Sequence, residues 1–533
     1  MRLVHAAKCR FACIACIVLL AAWWIRARPA DLGNGTYRNP ILFADYSDPD
    51  VIRVGSDYYL VSSSFHFVPG IPILKSHDLV NWTIIGHVYQ RLELDPKYSL
   101  IGGNRYGRGS WAPAIRYRNG RFHVYFPTPD EGILVSTAKS AEGPWTPPAM
   151  VLAKPGLEDP CPLWDDDGQA YLVHSVLGAG PLILHRMNPA GTAVLDEGQV
   201  IVRDPQKLPT LEGPKFYKRN GYYYIFAPIG GVSRGPQVVL RSRSVYGPYE
   251  SRVVLAQGDT LINGPHQGGY VETPSGEGWF LHFQQRGAYG RIVHLEPVRW
   301  QDDWPVIGEA SPDSTTGRPV ATAKKPNVGR TFPVLEPQTS DEFSGKTLGP
   351  QWEWNHNPDD AHWSLSERKG FLRLHAMPAT GLLDARNTLT LMLQDPALDA
   401  VTLLDVAGME DNQRAGLGMF FNHPHGIGVV ASGHQRRLAI FAAGAETLGP
   451  VLSSSRVQLR VQVRNEAASY SYSIDGGKTF VALGQSLPIA FSWWKGARIC
   501  LFSFVANQEN AAAAERGVAD FDWVRYKAVP PGQ

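Results

Sequence analysis

The sequence has few cysteines, almost no net charge and only one long apolar run. Five cysteines occur among 533 residues, and three lie within the first 16, so a disulfide-rich scaffold is excluded. A formal charge of +2 without a long basic run argues against a nucleic-acid-binding protein. The single apolar run excludes a polytopic membrane protein, and 44% hydrophobic against 19% charged residues excludes a disordered chain.

The apolar run, residues 11–25, lies between basic residues near the amino terminus. Fifteen residues are few for a membrane span, and the order basic, apolar, polar predicts a signal peptide over residues 1–30. An uncleaved signal anchor is the alternative, because Arg26 interrupts any small-residue cleavage motif. Both interpretations predict export to the periplasm or the extracellular space, with no membrane contact beyond this segment.

Removal of residues 1–30 changes the net charge and the number of cysteines of the chain. That segment holds five basic and no acidic residues, so 46 basic and 49 acidic residues remain, a formal charge of −3. Cys161 and Cys500 are then the only cysteines. Because they fall in different predicted domains, two buried free thiols are favoured over a disulfide.

The abundant residues are turn formers and aromatics, with 53 Gly, 41 Pro, 15 Trp and 21 Tyr. Strand-like runs that flank Gly, Asn or Asp turns recur along the chain, which is typical of β-hairpins. Turn glycines at positions 120, 168, 221 and 276 lie 48, 53 and 55 residues apart. Five such units predict a five-bladed β-propeller over residues 35–310.

The rest of the chain has a different composition and a different pattern of polar and apolar residues. Residues 311–339 are rich in Pro, Ser and Thr and are interpreted as a linker. Residues 340–530 contain many runs with alternating polarity, which predict a β-sandwich. The fold class is therefore all-β, a propeller followed by a sandwich. Exposed sandwich edges would permit an oligomer.

Three acidic residues share one register within the repeats. Asp48, Asp159 and Glu212 each lie nine residues before the turn of their own hairpin, while Trp111 and Gln267, which is beside His266, hold this register in the other two blades. Because inner strands begin near a propeller's axis, these side chains should converge. Placing like charges close together is energetically unfavourable, so it is expected only where it serves a function. Glycoside hydrolysis is such a function, because a protonated carboxyl donates to the leaving oxygen while an ionised one activates water.

Several segments also resemble a known family, in the order in which that family shows them. SDPDVIRVGSDYYLVSSSFHF, GSWAPAIRY, LEDPCPLWDDDGQAYL, LEGPKFYKRNGYYYIF and GPHQGGYV resemble glycoside hydrolase family 43, over residues of about 37–308. The segments SDEFSG, ARNTLTL, YSIDGGKTF and ADFDWVRY are similar to the concanavalin-like sandwich appended to its β-xylosidase-type members, which implies a jelly-roll for this half.

The resemblance implies a role for each acid. Asp48 in SDPD matches the general base, and Glu212 in LEGP matches the general acid. Asp159 in LEDP matches the residue that adjusts the pKa of the general acid and orients it. The implied reaction is a single displacement with inversion, which requires the base and acid carboxyls to lie roughly 6.5–9.5 Å apart.

The resemblance also implies contacts with the sugar. Phe65 and Trp111 match aromatic walls around the terminal sugar, and Arg291 matches an arginine that contacts a sugar hydroxyl near the acids. His266 matches a central histidine that in some members orients a metal, often calcium, through water. The alternatives are core aromatics for Phe65 and Trp111, a surface ion pair for Arg291 and a buried structural histidine for His266.

Two features of this sequence are left open. A sandwich loop could lend an aromatic side chain to the rim of the pocket, with Phe421 and Trp494 as the candidates. The reaction requires no cofactor, but a structural calcium ion is an open expectation. Acidic residues 165–167 are better explained by a solvated hairpin turn, and the pair Asp341 and Asp522 by capped turns.

The predicted function is an exo-acting, inverting glycoside hydrolase. It would release terminal xylose, arabinofuranose or both from hemicellulose oligosaccharides derived from xylan, arabinoxylan or arabinan. A retaining fructan hydrolase is one alternative, but it would need Arg-Asp-Pro and Glu-Cys motifs where this chain has LEDP and LEGP. A non-catalytic carbohydrate-binding propeller is the other, but all three acids are present.

Overall fold

The computed structural model describes residues 29–506 and 517–530, so almost all of the predicted signal segment lies outside the described residues. Within these ranges the regular elements are β-strands and four short 3-10 helices, at Pro96–Ser99, Gly287–Tyr289, Asp360–His362 and Leu382–Asp384. No helix in this described part is long and apolar enough to cross a membrane. The predicted all-β class is confirmed.

Five antiparallel sheets of four strands form the propeller. They are β2-β3-β5-β6, β7-β8-β9-β10, β11-β12-β13-β14, β15-β16-β17-β18 and β19-β20-β21-β22. Each predicted hairpin supplies the first two strands of a blade, and the first strands of successive blades lie next to one another. The strands of this half are β1 (Thr36–Arg38), β2 (Asp50–Val54), β3 (Asp57–Val61), β4 (Phe67–Val68), β5 (Gly70–Ser76), β6 (Trp82–Tyr89), β7 (Ala114–Arg118), β8 (Arg121–Thr128), β9 (Gly132–Ala138), β10 (Ala149–Leu152), β11 (Leu157–Trp164), β12 (Ala170–Val176), β13 (Leu182–Met187), β14 (Gln199–Val202), β15 (Lys215–Arg219), β16 (Tyr222–Pro228), β17 (Gln237–Ser242), β18 (Glu250–Leu255), β19 (His266–Glu272), β20 (Gly278–Gln285), β21 (Arg291–Gln301), β22 (Trp304–Ile307) and β23 (Thr322–Lys324).

The two ends of the propeller half are held together by backbone pairing. β1 pairs antiparallel with β23, which lies inside the segment 311–339 interpreted as a linker. The amides of Ile41 and Leu42 donate to the carbonyl of Val293 on β21, so the amino-terminal segment is bound to the fifth blade. Farther along the linker, the Gln338 side chain bonds both backbone groups of Ile84.

Two large antiparallel sheets form the carboxyl-terminal sandwich. One follows the order β33-β32-β31-β30-β38-β28-β24-β4, with β27 joined to β38, and the other follows β25-β26-β39-β29-β34-β35-β36, with β37 joined to β35. The strands of this half are β24 (Trp352–Asn355), β25 (Trp363–Ser364), β26 (Leu372–His375), β27 (Met377–Pro378), β28 (Thr388–Met392), β29 (Leu398–Asp405), β30 (Gln413–Phe420), β31 (His425–Ser432), β32 (Gln435–Ala442), β33 (Ala445–Val451), β34 (Arg456–Arg464), β35 (Ala467–Ser473), β36 (Val481–Ala482), β37 (Leu487–Pro488), β38 (Arg498–Val505) and β39 (Val518–Ala528).

Alternation of side chains explains how the sandwich forms its core. In β34 the sequence RVQLRVQVR buries Val457, Leu459, Val461 and Val463, while the intervening Arg and Gln side chains lie outside the core. Successive side chains of a strand point to opposite faces, so this pattern places one apolar face against the opposite sheet.

The two halves share a sheet and a hydrophobic core. β4 leaves the first blade and pairs with β24, with Val68 opposite Trp354, so two propeller residues extend a sandwich sheet. One apolar cluster includes residues of both halves, among them Ile71 and Leu389. Cys161 and Cys500 are both buried free thiols, as predicted. The sandwich is therefore firmly attached to the propeller beside its first blade.

Candidate active site

A cavity of about 390 Å³ lies where the inner strands of the propeller begin. All seven site residues predicted from the sequence line it, together with residues that the sequence analysis did not select. The lining consists of Asp48, Phe65, Trp111, Ala112, Glu158, Asp159, Leu177, Gly178, Glu212, Val232, His266, Gln267, Arg291 and Trp494. The shared register therefore does identify a common pocket.

An unusual backbone conformation recurs at the register positions. Asp48, Asp159 and Gln267 have φ values of 55°, 56° and 41°, in the left-handed region that residues other than glycine seldom adopt. Such strain persists only where the surrounding structure enforces it, and it is concentrated at functional sites. Here it occurs at equivalent points of the first, third and fifth blades, where the chain enters or begins an inner strand.

Both carboxylate oxygens of Asp48 accept charge-assisted or short hydrogen bonds. Arg291 Nη1 donates to Oδ1 at 2.7 Å, and the Ser63 hydroxyl donates to Oδ2 at 2.6 Å. Both members of the ion pair are buried, with side chains 6% and 7% exposed, so the pair is weakly screened by water. Arg291 is therefore not the surface ion pair considered as an alternative, and it fixes the orientation of Asp48.

Asp159 lies deep in the pocket beside the other acids. Its Oδ2 accepts hydrogen bonds from the Gly213 amide at 2.8 Å and from the Ser175 hydroxyl at 3.2 Å. Burial, and after it the nearby Glu212 carboxyl, raise the pKa of Asp159 well above its ordinary value. The Gly213 contact ties Asp159 directly to the backbone that follows Glu212.

Glu158 is a fourth carboxyl group in the pocket, which the sequence analysis missed. It is buried, its Oε1 accepts from the Ala179 amide at 3.1 Å, and one oxygen from each of Glu158, Asp159 and Glu212 lies within 4.8 Å of the others. Burial raises the pKa of Glu158, and the Asp159 and Glu212 carboxyls raise it further. The acidic segment LEDP could have indicated a second carboxyl in the pocket, but regular strand alternation would place Glu158 on the opposite face from Asp159.

Glu212 is the most accessible acid of the three predicted, with a quarter of its side chain exposed. Its Oε1 lies 3.0 Å from Nε2 of His266, which is buried. His266 Nδ1 is also buried and has no hydrogen-bond partner among the described residues. One imidazole nitrogen thus orients the acid, and the other is a donor or acceptor suited to a water molecule, the arrangement that water-mediated binding of a cation would need.

Aromatic side chains from both halves form the walls. The Phe65 and Trp111 rings have centroids 6.0 Å apart, and Trp494 of the sandwich lies edge-on to Trp111 at 6.4 Å. Trp494 is nearly half exposed, whereas Phe421, the other candidate, is buried and packs against His425. Trp494 therefore provides the sandwich's contribution to the rim, and Phe421 belongs to the sandwich interior.

The acidic residues that the sequence analysis assigned to turns make other contacts outside the pocket. Lys218 forms ion pairs with Asp165 and Asp166, and the Tyr223 hydroxyl bonds Asp165. Asp341 accepts from the Trp352 indole at 2.9 Å and from a nearby backbone amide at 2.8 Å, as a capped turn does.

The pocket combines the groups needed for acid–base hydrolysis at one carbon. One carboxylate is held by an arginine and a hydroxyl, a second is accessible and bonded to a histidine, and two buried carboxyls adjoin the second. Two carboxyl groups in one pocket can serve as the general base and the general acid of a hydrolysis. Aromatic walls suit the apolar faces of a sugar ring.

Comparison with known proteins matches both halves of the chain. Residues 37–305 match the model described as glycosyl hydrolases family 43, and residues 340–527 match the beta xylosidase C-terminal concanavalin A-like domain. A putative beta-xylosidase of Xylanibacter ruminicola is 44% identical over 482 residues, 89% of this chain and 88% of that protein. A non-reducing end alpha-L-arabinofuranosidase of Bacteroides ovatus is 33% identical over 383 residues, 68% of each.

Solved structures show the same two-part architecture. A family 43 glycoside hydrolase, engineered to display both endo-xylanase and exo-arabinofuranosidase activity, has a TM-score of 0.82 and 30% identity. The match covers 93% of this chain and 100% of that chain.

Proposed function

Because this chain belongs to glycosyl hydrolase family 43 and is a glycosidase, we propose that it is an exo-acting, inverting hydrolase that releases terminal xylose or arabinofuranose from hemicellulose oligosaccharides. The observation that carries the proposal is the single pocket in which Asp48, Asp159 and Glu212 meet between aromatic walls. The names of the relatives, a beta-xylosidase and an arabinofuranosidase, support this choice of sugars.

In the proposed reaction Glu212 is the general acid and Asp48 the general base. Glu212 donates its proton to the glycosidic oxygen as the bond to the anomeric carbon breaks. Asp48 accepts a proton from the water molecule that attacks this carbon from the opposite face, and the released sugar has inverted configuration. Arg291 and Ser63 hold the Asp48 carboxylate in place for this step.

Asp159 is proposed to act on the acid rather than on the sugar. It is bonded to the amide of Gly213, the residue after Glu212, so it can fix the position of the acid. One oxygen of its carboxyl also lies within 4.8 Å of one oxygen of Glu212. His266, at 3.0 Å from Glu212, orients the acid from the other side.

The walls account for action on a chain end. Phe65 and Trp111 line the pocket together with the acids, and Trp494 of the sandwich lies edge-on to Trp111. A pocket narrowed in this way accommodates a terminal sugar more readily than the middle of a polymer.

Hydrolysis of aryl β-xylosides and aryl α-L-arabinofuranosides tests the proposal directly. Activity on either, with the inverted anomer as the first product seen by NMR, is the expected result. A first product of retained configuration would support a retaining hydrolase instead. Binding of these sugars with no turnover would support a non-catalytic binding protein.

Export and metal binding are further parts of the proposal. We expect residues 1–30 to direct the chain out of the cytoplasm, which cell fractionation and amino-terminal sequencing of the mature protein would test. We expect chelation to leave the catalytic rate unchanged. A calcium ion bound through water at His266 would be revealed by a lower thermal midpoint after chelation.

A further inference from the structure

A short segment of the sandwich, residues 492–498, lies directly against the propeller, where the Ala497 amide donates to the Ala288 carbonyl at 2.8 Å. It begins with a turn in which Ser492 and Lys495 exchange two backbone hydrogen bonds of 2.9 Å. The two residues within the turn, Trp493 and Trp494, have φ values of 54° and 66°. Two bulky residues in the left-handed region are unfavourable, so the surrounding contacts must enforce this turn.

The turn delivers the side chain of Lys495 into the interior of the propeller. Lys495 is 2% exposed, and all three hydrogens of its ammonium group have an acceptor there. These acceptors are Asp45 Oδ2 at 3.0 Å, the Asp45 carbonyl at 2.8 Å and the Ser63 carbonyl at 3.2 Å. The ammonium group is thus held by the two chain segments that precede and follow the β2–β3 hairpin of the first blade.

One of these segments carries a hydrogen-bond donor to the proposed base, and the other binds the residue that supplies the second donor. Ser63, whose carbonyl binds Lys495, donates its hydroxyl to Asp48 Oδ2 at 2.6 Å. Asp45 accepts the backbone amide of Arg291 at 2.8 Å, and the Arg291 side chain donates to Asp48 Oδ1 at 2.7 Å. Each oxygen of the Asp48 carboxylate is therefore held by a residue that is linked to Lys495.

From this geometry we propose that Lys495 is a positioning residue for hydrolysis, by which the sandwich orients the Asp48 base in the propeller. The proposal rests on the function proposed above, because it takes Asp48 to be the base. Lys495 acts through Ser63, Asp45 and Arg291 and does not line the pocket itself. The sandwich thus contributes to catalysis in two ways, through the buried contacts of Lys495 and through Trp494 at the rim of the pocket.

The buried charge of Lys495 is balanced by the carboxylate of Asp45. Burial alone would raise the pKa of Asp45, but Lys495 and the amides of Arg291 and Gly496 hold it below its ordinary value. Removing only the lysine would leave a buried carboxylate without its counter-ion, which is strongly destabilising. A variant that removes both charges is therefore needed to separate stability from positioning.

The test compares Lys495→Met with the double variant Asp45→Asn/Lys495→Met. The oxygen of an asparagine can still accept the Arg291 amide, whereas the Gly496 amide loses the acceptor that Asp45 Oδ2 provides. The double variant contains no unpaired buried charge. We expect Lys495→Met to lower both the thermal midpoint and kcat. The double variant should recover part of the midpoint, while kcat on the better aryl pentoside stays at least about 30-fold below wild type.

Two further measurements exclude a general loss of folded protein. Binding of the product pentose, measured by calorimetry, should keep one site per chain and a Kd within about threefold of wild type. Lys478→Met, an exposed lysine in a sandwich hairpin, should leave kcat and the midpoint unchanged. Recovery of kcat together with the midpoint in the double variant would overturn the proposal and leave Lys495 with a purely structural role.

The positioning role can also be judged apart from the proposed function. An inactive wild-type protein on both aryl pentosides would refute the function. In that case a crystal structure of the double variant still decides the inference about Lys495. Displacement of the Asp48 carboxylate from Ser63 or Arg291 supports it, and unchanged contacts at Asp48 overturn it.

Discussion

Glu158 and Asp159 are consecutive residues of β11, yet both side chains face the same pocket. In a regular strand they would point to opposite faces. The pairing of β11 with β12 shifts between Glu158 and Cys161, which inserts an extra residue into β11, and Asp159 adopts a positive φ. This bulge turns both carboxyls inward, where they share the Ser175 hydroxyl at 3.5 and 3.2 Å.

Replacement of Glu158 by glutamine should stabilise the protein increasingly as the pH rises from 5 to 8. The raised pKa means that Glu158 stays neutral in the folded state at pH values where it ionises in the unfolded chain. Its contribution to stability is complete below the unfolded pKa and is lost as the pH rises towards the folded pKa, by on the order of 1 kcal/mol per pH unit. The Glu158→Gln midpoint should therefore exceed that of wild type by a margin that grows between pH 5 and 8.

Glu197→Gln is the matched control for this measurement, because Glu197 is exposed. It should show no such trend with pH. A constant difference between Glu158→Gln and wild type across the range would mean that Glu158 is ionised in the folded protein.

Replacement of Glu212 and of Asp48 should have different dependences on the leaving group. Glu212→Ala removes the proton donor, so kcat on an unactivated disaccharide should fall by about 1000-fold, and much less on an aryl glycoside with an acidic leaving group. Asp48→Ala removes the base, so both substrates should be affected alike. Steady-state kinetics on the two substrates check this, and a uniform loss in Glu212→Ala would contradict its role as the acid.

Trp494→Ala should weaken substrate binding more than it slows the reaction. Its ring lies at the rim beside Trp111, and 5.9 Å from the guanidinium carbon of Arg291. Loss of these aromatic contacts should raise KM by about 10-fold, which corresponds to roughly 1.4 kcal/mol. Trp494→Phe should retain most of the binding, and Phe421→Leu, inside the sandwich, should leave KM unchanged. Equal KM values for Trp494→Ala and wild type would remove Trp494 from the binding site.

Gly496→Ala should destabilise the contact between the two halves. A Cβ atom at this position would lie 2.6 Å from the carbonyl carbon of Tyr289, in the backbone of the propeller. Backbone cannot move aside as a side chain can, so a loss of about 1–3 kcal/mol in unfolding free energy is expected. Denaturant titration measures it, with Gly381→Ala as the control because its Cβ would meet no atom within 4 Å. Equal stability of the two variants would refute the close packing.

The repeat and register of the sequence are sufficient to predict the propeller and the pocket. Turn glycines at regular intervals mark the hairpins of successive blades, and a fixed count back from each turn leads to the start of an inner strand. These are local relations along the chain, and the symmetry of a propeller converts equal register into a common location. For this reason the amino-acid sequence alone places Asp48, Trp111, Asp159 and Glu212 together.

Tertiary structure alone decided which other residues join them. The bulge that turns Glu158 inward depends on pairing with β12, and the choice of Trp494 over Phe421 depends on how the sandwich docks. Lys495 lies 450 residues from Asp45 in the sequence, and no local pattern links them. By itself the sequence determined the blades and the acids because these follow from repeated local spacing; packing between blades and halves determined the groups that hold the acids, because those contacts exist only after the chain has folded.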